Sequence, residues 1–417
     1  MYKAPRGTVD ILPAEQAYWA YVQQRAAEVC RLYGYERLDT PIFEDYGLFA
    51  RKDAGGTDLV EKEMYVFEDR SGQKLTLRAE NTAPVCRAYL EHGMSNLPQP
   101  VRLYYIGPTF RYERPQAGRY RQHHQFGCEA LGDPSASLDV EVIELALGFL
   151  SSLGLKQLSV LLNSIGCREC QPKYVELLRS HYQSRTADVC DDCRIRMVRN
   201  PLRLLDCKEP ACKVIADEAP KISEYLCGEC EAHFREVQAQ LSLLGVPFTL
   251  NHKLVRGLDY YTRTVFEILP QHEGGQSAIV GGGRYDGLIE QIGGKSTSGV
   301  GFATGIERII LNLKEQGLVA PPLPAPAVYV AHIGETARLA SVSLAGMLRS
   351  ANIGVVASTG GKSLKAQLRQ ANSLGVRFAV ILGDDEVERG EAVVRDMAAN
   401  TQTTIPQSSL AAHLGRA

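Results

Sequence analysis

The segment LVAPPLPAPA (318–327) carries four prolines. Proline fixes φ and has no N–H to donate, so such a run is stiff and cannot join a helix. It marks a domain boundary, and the chain is expected to fold as separate units on either side. A length of 417 residues agrees, since one domain usually takes ~100–200.

Beyond the linker the pattern is regular. VYVAHI, GVVAS and FAVILG read as strands, and ETARLASVSLAGMLRSA and SLKAQLRQANSLG as helices. This alternation predicts a small α/β domain with βαβ units over 328–417. Before the linker, 1–166 and 253–317 mix helical and strand-like runs, among them VRLYYIG (101–107) and the helix GIERIILNLKEQG. Glu15 to Tyr33 reads as an amphipathic helix with Tyr18, Val22, Ala26, Val29 and Leu32 on its apolar face. The window 167–252 is different. It holds eight of the eleven cysteines, in four pairs, beside helical patches such as KYVELLRSHY (173–182).

A chain with 45% apolar residues can bury a large core without disulfides. The N-terminus lacks an apolar signal-like stretch, and no run of ~18 apolar residues occurs. A cytoplasmic protein with no membrane partner is expected. In that setting clustered cysteines favour metal over disulfides. The spacings C-x2-C-x19-C-x2-C (Cys167, Cys170, Cys190, Cys193) and C-x4-C-x14-C-x2-C (Cys207, Cys212, Cys227, Cys230) suggest two successive four-cysteine sites for structural Zn2+. Free thiols are the other reading. With a net charge of −2, a nucleic-acid partner would have to be met by local basic patches.

Two stretches imitate a phosphate-binding P-loop, GGKSTSG (293–299) and TGGKS (359–363). The glycine that the motif needs is replaced by Ile289 in one and Val356 in the other. Three arginine-centred stretches are better candidates. FRYERPQAGRYRQHHQFGCEALG (110–132) places Arg111, Arg114, Arg119 and Arg121 in a loop between strand-like ends, which suits phosphate or a solvated surface. LVRGLDYYTRTVFE (254–267) sets Arg256 in an apolar context, where it needs an anion, either a ligand or a protein acid such as Asp259. GVGFATGIERI (299–309) leads through small residues into a helix bearing Arg308.

Taken in order, these stretches resemble the histidyl-tRNA synthetases of class II. RGTVDILP (6–13), the RLDTPIFE strand (37–44), LTLRAENTAPVCRAY (75–89) and GGGRYDGL (281–288) add to the resemblance. GKSLKAQLRQANSLGVRFAVILG (361–383) resembles that family's anticodon-binding domain. The resemblance implies an α+β fold: a class II core on a mostly antiparallel sheet (1–166 and 253–317), a helical Cys-rich insertion (167–252), a linker (318–327) and an α/β anticodon-binding domain (328–417).

It also implies an enzyme that activates L-histidine with ATP and Mg2+ and charges tRNA-His, working as a homodimer paired through RLDTPIFE. Arg111 and Arg308 would hold the α- and γ-phosphates, with Glu113 and Arg119 also at the ATP. Arg256 would be catalytic, together with Arg111, near the α-phosphate and the substrate carboxylate. Glu129 and Tyr261 would take the two imidazole nitrogens. Glu80, Asn81, Thr82 and Gln125 would surround the amino acid, with Tyr260 and Tyr285 lining its pocket. Ala79 and Asn81 stand where the family commonly has proline and glycine. His123 and His124 are open to a catalytic-base reading or to a place in a loop against ATP or tRNA. The rival within the same resemblance is a regulatory subunit of ATP phosphoribosyltransferase, which lacks the anticodon-binding domain and usually erodes the catalytic motifs.

Overall fold

Antiparallel pairing dominates the larger of two units in the computed structural model, which describes residues 2–51, 59–114, 120–270 and 278–415. The units are Met1–Pro321 and Pro322–Ala417, so the division falls inside the proline run. An eight-stranded sheet in the first runs Glu36–Arg37, Val101–Phe110, Gln122–Leu131, Gly299–Gly305, Val280–Arg284, Thr262–Pro270, Leu158–Ser164 and Phe248–Leu250 from edge to edge. The outermost pairs are parallel and the pairs between them antiparallel.

Helices Gln16–Leu32, Ala136–Ser152 and Gly228–Leu243 contribute to one continuous core, in which Val22, Phe126, Ile143, Phe149, Val237, Phe302 and Ile306 are buried. Burial of each such side chain contributes roughly 1.5–3 kcal/mol. The apolar face expected for the first helix is rotated. Val22, Ala26 and Val29 are buried, but Leu32 is 70% exposed, and Trp19 and Cys30 complete the face. Leu32 is the helix's last residue, beyond the stretch that the core covers.

RLDTPIFE is not one strand. Glu36–Arg37 joins the main sheet, and Phe43–Asp45 joins a three-stranded sheet with Lys74–Leu77 and Val66–Glu68. Pro41, which cannot donate to a ladder, stands in the gap.

The cysteine-bearing segment leaves the sheet after Leu158–Ser164 and returns as Phe248–Leu250, within the 167–252 window, pairing parallel with the strand it left. Its helices are Gln171–Gln183, Asp191–Arg199, Pro210–Asp217 and Gly228–Leu243. Tyr174, Leu178 and Tyr182 recur at helical spacing and share a core with Leu204 and Ile215, and with Val265, Tyr285 and Leu288 of the sheet region.

The second unit has a five-stranded sheet ordered Val355–Ala357, Val328–Ile333, Phe378–Gly383, Glu391–Asp396, Thr401–Pro406. Its first three strands are parallel, joined through helices Glu335–Ser350 and Leu364–Ser373, as the alternation predicts. Ser363 Oγ caps the second helix by accepting the Ala366 N–H. The last two strands form an antiparallel hairpin, with Asn400 in the left-handed region beside its turn. No helix among the described residues is long and apolar enough to cross a membrane.

Candidate active site

Glycines in the central strands leave room for charged side chains to lie flat on the sheet. Gly301 pairs in register with Glu129, and a Cβ at Gly301 would fall 1.8 Å from Glu129 Oε2. At Gly281 a Cβ would fall 2.1 Å from the Arg256 guanidinium. These positions help floor a cleft of about 870 Å3, within the usual range for a small-molecule site.

Glu129 is 1% exposed. Thr82 Oγ1 donates to Oε1 at 2.7 Å, Tyr105 donates to the same oxygen at 3.4 Å, and Tyr285 donates to Oε2. Burial pushes the carboxyl up to about 8, further than the three hydroxyls pull it down. Burial thus favours the protonated carboxyl, whereas the resemblance implies a carboxylate. Tyr260 and Tyr261 are buried beside it, and burial raises both phenols, which stay protonated. The Tyr260 hydroxyl has no protein partner among the described residues.

Glu80 closes the start of helix Thr82–Glu91. Its carboxylate accepts the N–H groups of Thr82 and Ala83, the latter at 3.0 Å. Burial raises its pKa. Glu80, Thr82 and Gln125 all line the cleft. Asn81 does not. It is buried and donates its amide to Gln125 Oε1 at 3.1 Å, behind the lining residues.

The arginines at the centre of the three stretches, Arg111, Arg256 and Arg308, line the same cleft from three different elements. Arg111 follows strand Val101–Phe110 and is oriented by Nε donating to the Ala79 carbonyl at 2.8 Å. Arg308 lies in the first turn of helix Ile306–Glu315 and donates to the Ala278 carbonyl at 2.5 Å. Arg256 pairs with Glu267, not with Asp259, which instead meets Arg51 at 3.3 Å. Glu113 also lines the cleft, while Arg119 lies outside the described residues.

The two histidines separate. His123 lines the cleft, but its Nε2 is 2.8 Å from Thr109 Oγ1. Burial and the Arg111 charge push its pKa down to about 3, too low for an efficient base at neutral pH. His124 points elsewhere: its Nδ1 lies 2.9 Å from Glu307, and its ring packs edge-on to Trp19.

Sequence reasoning missed Tyr105 and Glu267. Both sit on strands whose alternation marks them only as sheet residues, and register alone brings them to the site. It also missed a support behind the site. Arg284 and Asp139, both wholly buried, form an ion pair, with Arg284 Nε to Asp139 Oδ1 at 2.8 Å. Thr264 and His233 bond the other Asp139 oxygen at 2.7 and 2.6 Å. Burial opposes the charge on Asp139, yet Arg284 and His233 hold its pKa below the usual value. The pair fixes the backbone just before Tyr285.

A mostly antiparallel sheet bearing an arginine-lined cleft, in a chain with a further α/β unit, is the architecture that the resemblance to class II aminoacyl-tRNA synthetases implies. Residues 7–309 match the family model of histidyl-tRNA synthetase, and residues 327–416 match the anticodon binding domain. The chain belongs to the histidyl-tRNA synthetase family. Histidine–tRNA ligases of two Dehalococcoides mccartyi strains are 58% and 59% identical to it over 98% of each chain. The crystal structure of the apo S. aureus histidyl-tRNA synthetase matches with a TM-score of 0.84 at 37% identity, over 99% of this chain and 100% of that one. A Bacillus halodurans structure titled ATP phosphoribosyltransferase regulatory subunit/histidyl-tRNA synthetase shares the fold at a TM-score of 0.65 and 20% identity.

Proposed function

We propose that the cleft makes histidyl-adenylate from L-histidine and ATP and then charges tRNA-His. The observation that carries this reading is the convergence of Glu80, Thr82, Glu129 and Tyr261 with Arg111, Arg256 and Arg308 on one glycine-floored cleft. A histidine carboxylate oxygen attacks the α-phosphorus, the α–β anhydride bond breaks, and pyrophosphate leaves. Arg256 and Arg111 stabilise the charge that builds at the α-phosphate, and Arg308 holds the far end of the triphosphate. A hydroxyl at the 3′ end of tRNA-His then attacks the activated carbonyl, and AMP leaves.

Ring recognition needs one donor and one acceptor on opposite sides of a neutral imidazole. Glu129 and Tyr261 supply them in either of two proton arrangements. A carboxylate accepts while the phenol donates, or the carboxyl donates while the phenol accepts. Glu80, already held by two backbone N–H groups, has lone pairs left for the α-ammonium.

Glu63 and Glu113, on the cleft wall, offer the oxygen donors that Mg2+ takes alongside phosphates. When bound, that ion would neutralise triphosphate charge. The second unit would read the anticodon, although nine basic against seven acidic residues from 326 on give it little field. A homodimer in the cytoplasm completes the reading. Ile42 and Phe43, 45% and 54% exposed, lie in the segment expected at the interface. Histidine-dependent ATP–pyrophosphate exchange, followed by charging of tRNA-His, tests the proposal. An intact, folded sample that shows neither reaction overturns it, and points to the regulatory-subunit reading that the family comparisons do not favour.

A further inference from the structure

The eight clustered cysteines do not group as their order along the chain suggests. Cys167, Cys170, Cys227 and Cys230 form one quartet, and Cys190, Cys193, Cys207 and Cys212 form another, each with its sulfurs within 4.8 Å of one another. The second quartet is nested inside the first. The successive pairing expected from spacing is therefore corrected. The chain leaves the sheet through the first CxxC and builds a closed knuckle from the middle four. It then comes back to close the base with the last CxxC.

The geometry points to one tetrahedral zinc ion in each quartet. Cys167 Sγ lies 3.8 Å from both Cys170 Sγ and Cys227 Sγ, and Cys190 Sγ lies 3.8 Å from Cys207 Sγ. A disulfide needs about 2.05 Å. Four sulfurs about 2.3 Å from a central zinc stand about 3.8 Å apart along the edges of the tetrahedron. Backbone N–H groups also aim at the sulfurs: Cys167 N at Cys170 Sγ, 3.2 Å; Glu169 N at Cys167 Sγ, 3.4 Å; Cys190 N at Cys212 Sγ, 3.3 Å. Such bonds favour thiolate over thiol. Cys170, Cys190 and Cys227 are moreover the N-cap residues of helices Gln171–Gln183, Asp191–Arg199 and Gly228–Leu243, where the helix dipole favours negative charge. Binding would release the thiol protons, and an all-sulfur tetrahedron is a donor set that zinc takes.

The two ions would do different jobs. The base quartet sits where the insertion leaves the sheet. There the Gly166 carbonyl accepts the Arg263 N–H and the Ile165 N–H donates to the Arg263 carbonyl, tying the segment to the Thr262–Pro270 strand two residues after Tyr261. The nested quartet pins helix Asp191–Arg199 and the turn Pro201–Leu204, whose Arg196, Arg199 and Arg203 line the catalytic cleft. That helix buries only Cys193 and leaves Ile195 and Val198 exposed, so packing alone holds it weakly. The nested zinc would fix this wall of the cleft.

Metal analysis of the purified full chain is expected to find two zinc ions per chain. Well under one, or iron in place of zinc, overturns the assignment. The nested grouping has its own test. Cys167→Ser with Cys227→Ser damages one site if the quartets are nested, leaving one zinc per chain. Successive grouping predicts damage to both sites and no zinc left. A second measurement that needs no variant is anomalous diffraction at the zinc edge from crystals grown of the wild-type chain. Two peaks centred in the named quartets are expected, and no peak at either quartet refutes the site.

Discussion

The Glu129 carboxyl group occupies the space that a side chain at Gly301 would need, and the two residues are register partners on adjacent strands. The wall around it is backbone as well as side chain, since the Cys128 carbonyl stands 2.4 Å from the same Cβ position. Gly301→Ala must therefore displace the carboxyl group or spread the strands. We expect a KM for histidine raised at least about tenfold, with a smaller change in the KM for ATP, read by pyrophosphate exchange. An unchanged KM for histidine would show that Glu129 does not set the site.

Glu129 also predicts a pH signature. Its folded pKa is about 8, against 4.5 for an ordinary glutamate. Below pH 4.5 both folded and unfolded chains hold the proton, and nothing is lost. As pH rises from 4.5 to 8 the unfolded chain gives up a proton that the folded chain keeps, so stability falls, and above 8 the cost levels off. Glu129→Gln removes this term. The variant should gain on wild type by on the order of 3–5 kcal/mol between pH 5 and pH 8, while losing affinity for histidine. Parallel denaturation curves at the two pH values check it. A stability gap that stays constant with pH refutes the raised pKa.

Arg256 meets Glu267 across the cleft wall. Arg256→Ala should cost roughly 3 kcal/mol or more in the adenylation barrier, the scale for removing one charge stabiliser. Adding Glu267→Gln removes the carboxylate left without its partner. It should restore stability lost in the single variant but not the rate of adenylation. Recovery of the rate would mean that Arg256 acts only as a counterion.

The elements were largely legible from the sequence because periodicity and proline act locally. Strand Val101–Phe110, the helix bearing Arg308 and the break at 318–327 all follow from neighbours in the chain. The cleft residues were legible through motif resemblance, and most of them do converge. What could not be read was pairing at a distance. Glu267 as the partner of Arg256, Tyr105 beside Glu129, and the nested cysteines all depend on register and on where the chain returns. Spacing along the sequence carries neither. The bond from the Asn81 amide to Gln125, on strand Gln122–Leu131, is a further pairing of this kind.

Arg284, wholly buried, immediately precedes Tyr285 of the substrate pocket. Its guanidinium meets Asp139 and also donates to the backbone carbonyls of Asp133 at 3.1 Å and Ser135 at 2.8 Å. Arg284→Met keeps much of the volume but strands the Asp139 charge and two carbonyls away from water. Removing one partner of a buried pair costs about 3–5 kcal/mol. His233 and Thr264 remain on Asp139 and should hold the loss toward the lower end. Urea denaturation of the variant and of Arg284→Met with Asp139→Asn measures both terms. The double variant should recover part of the loss, because the buried charge is gone, and a single-variant loss under about 1 kcal/mol would contradict the anchoring role.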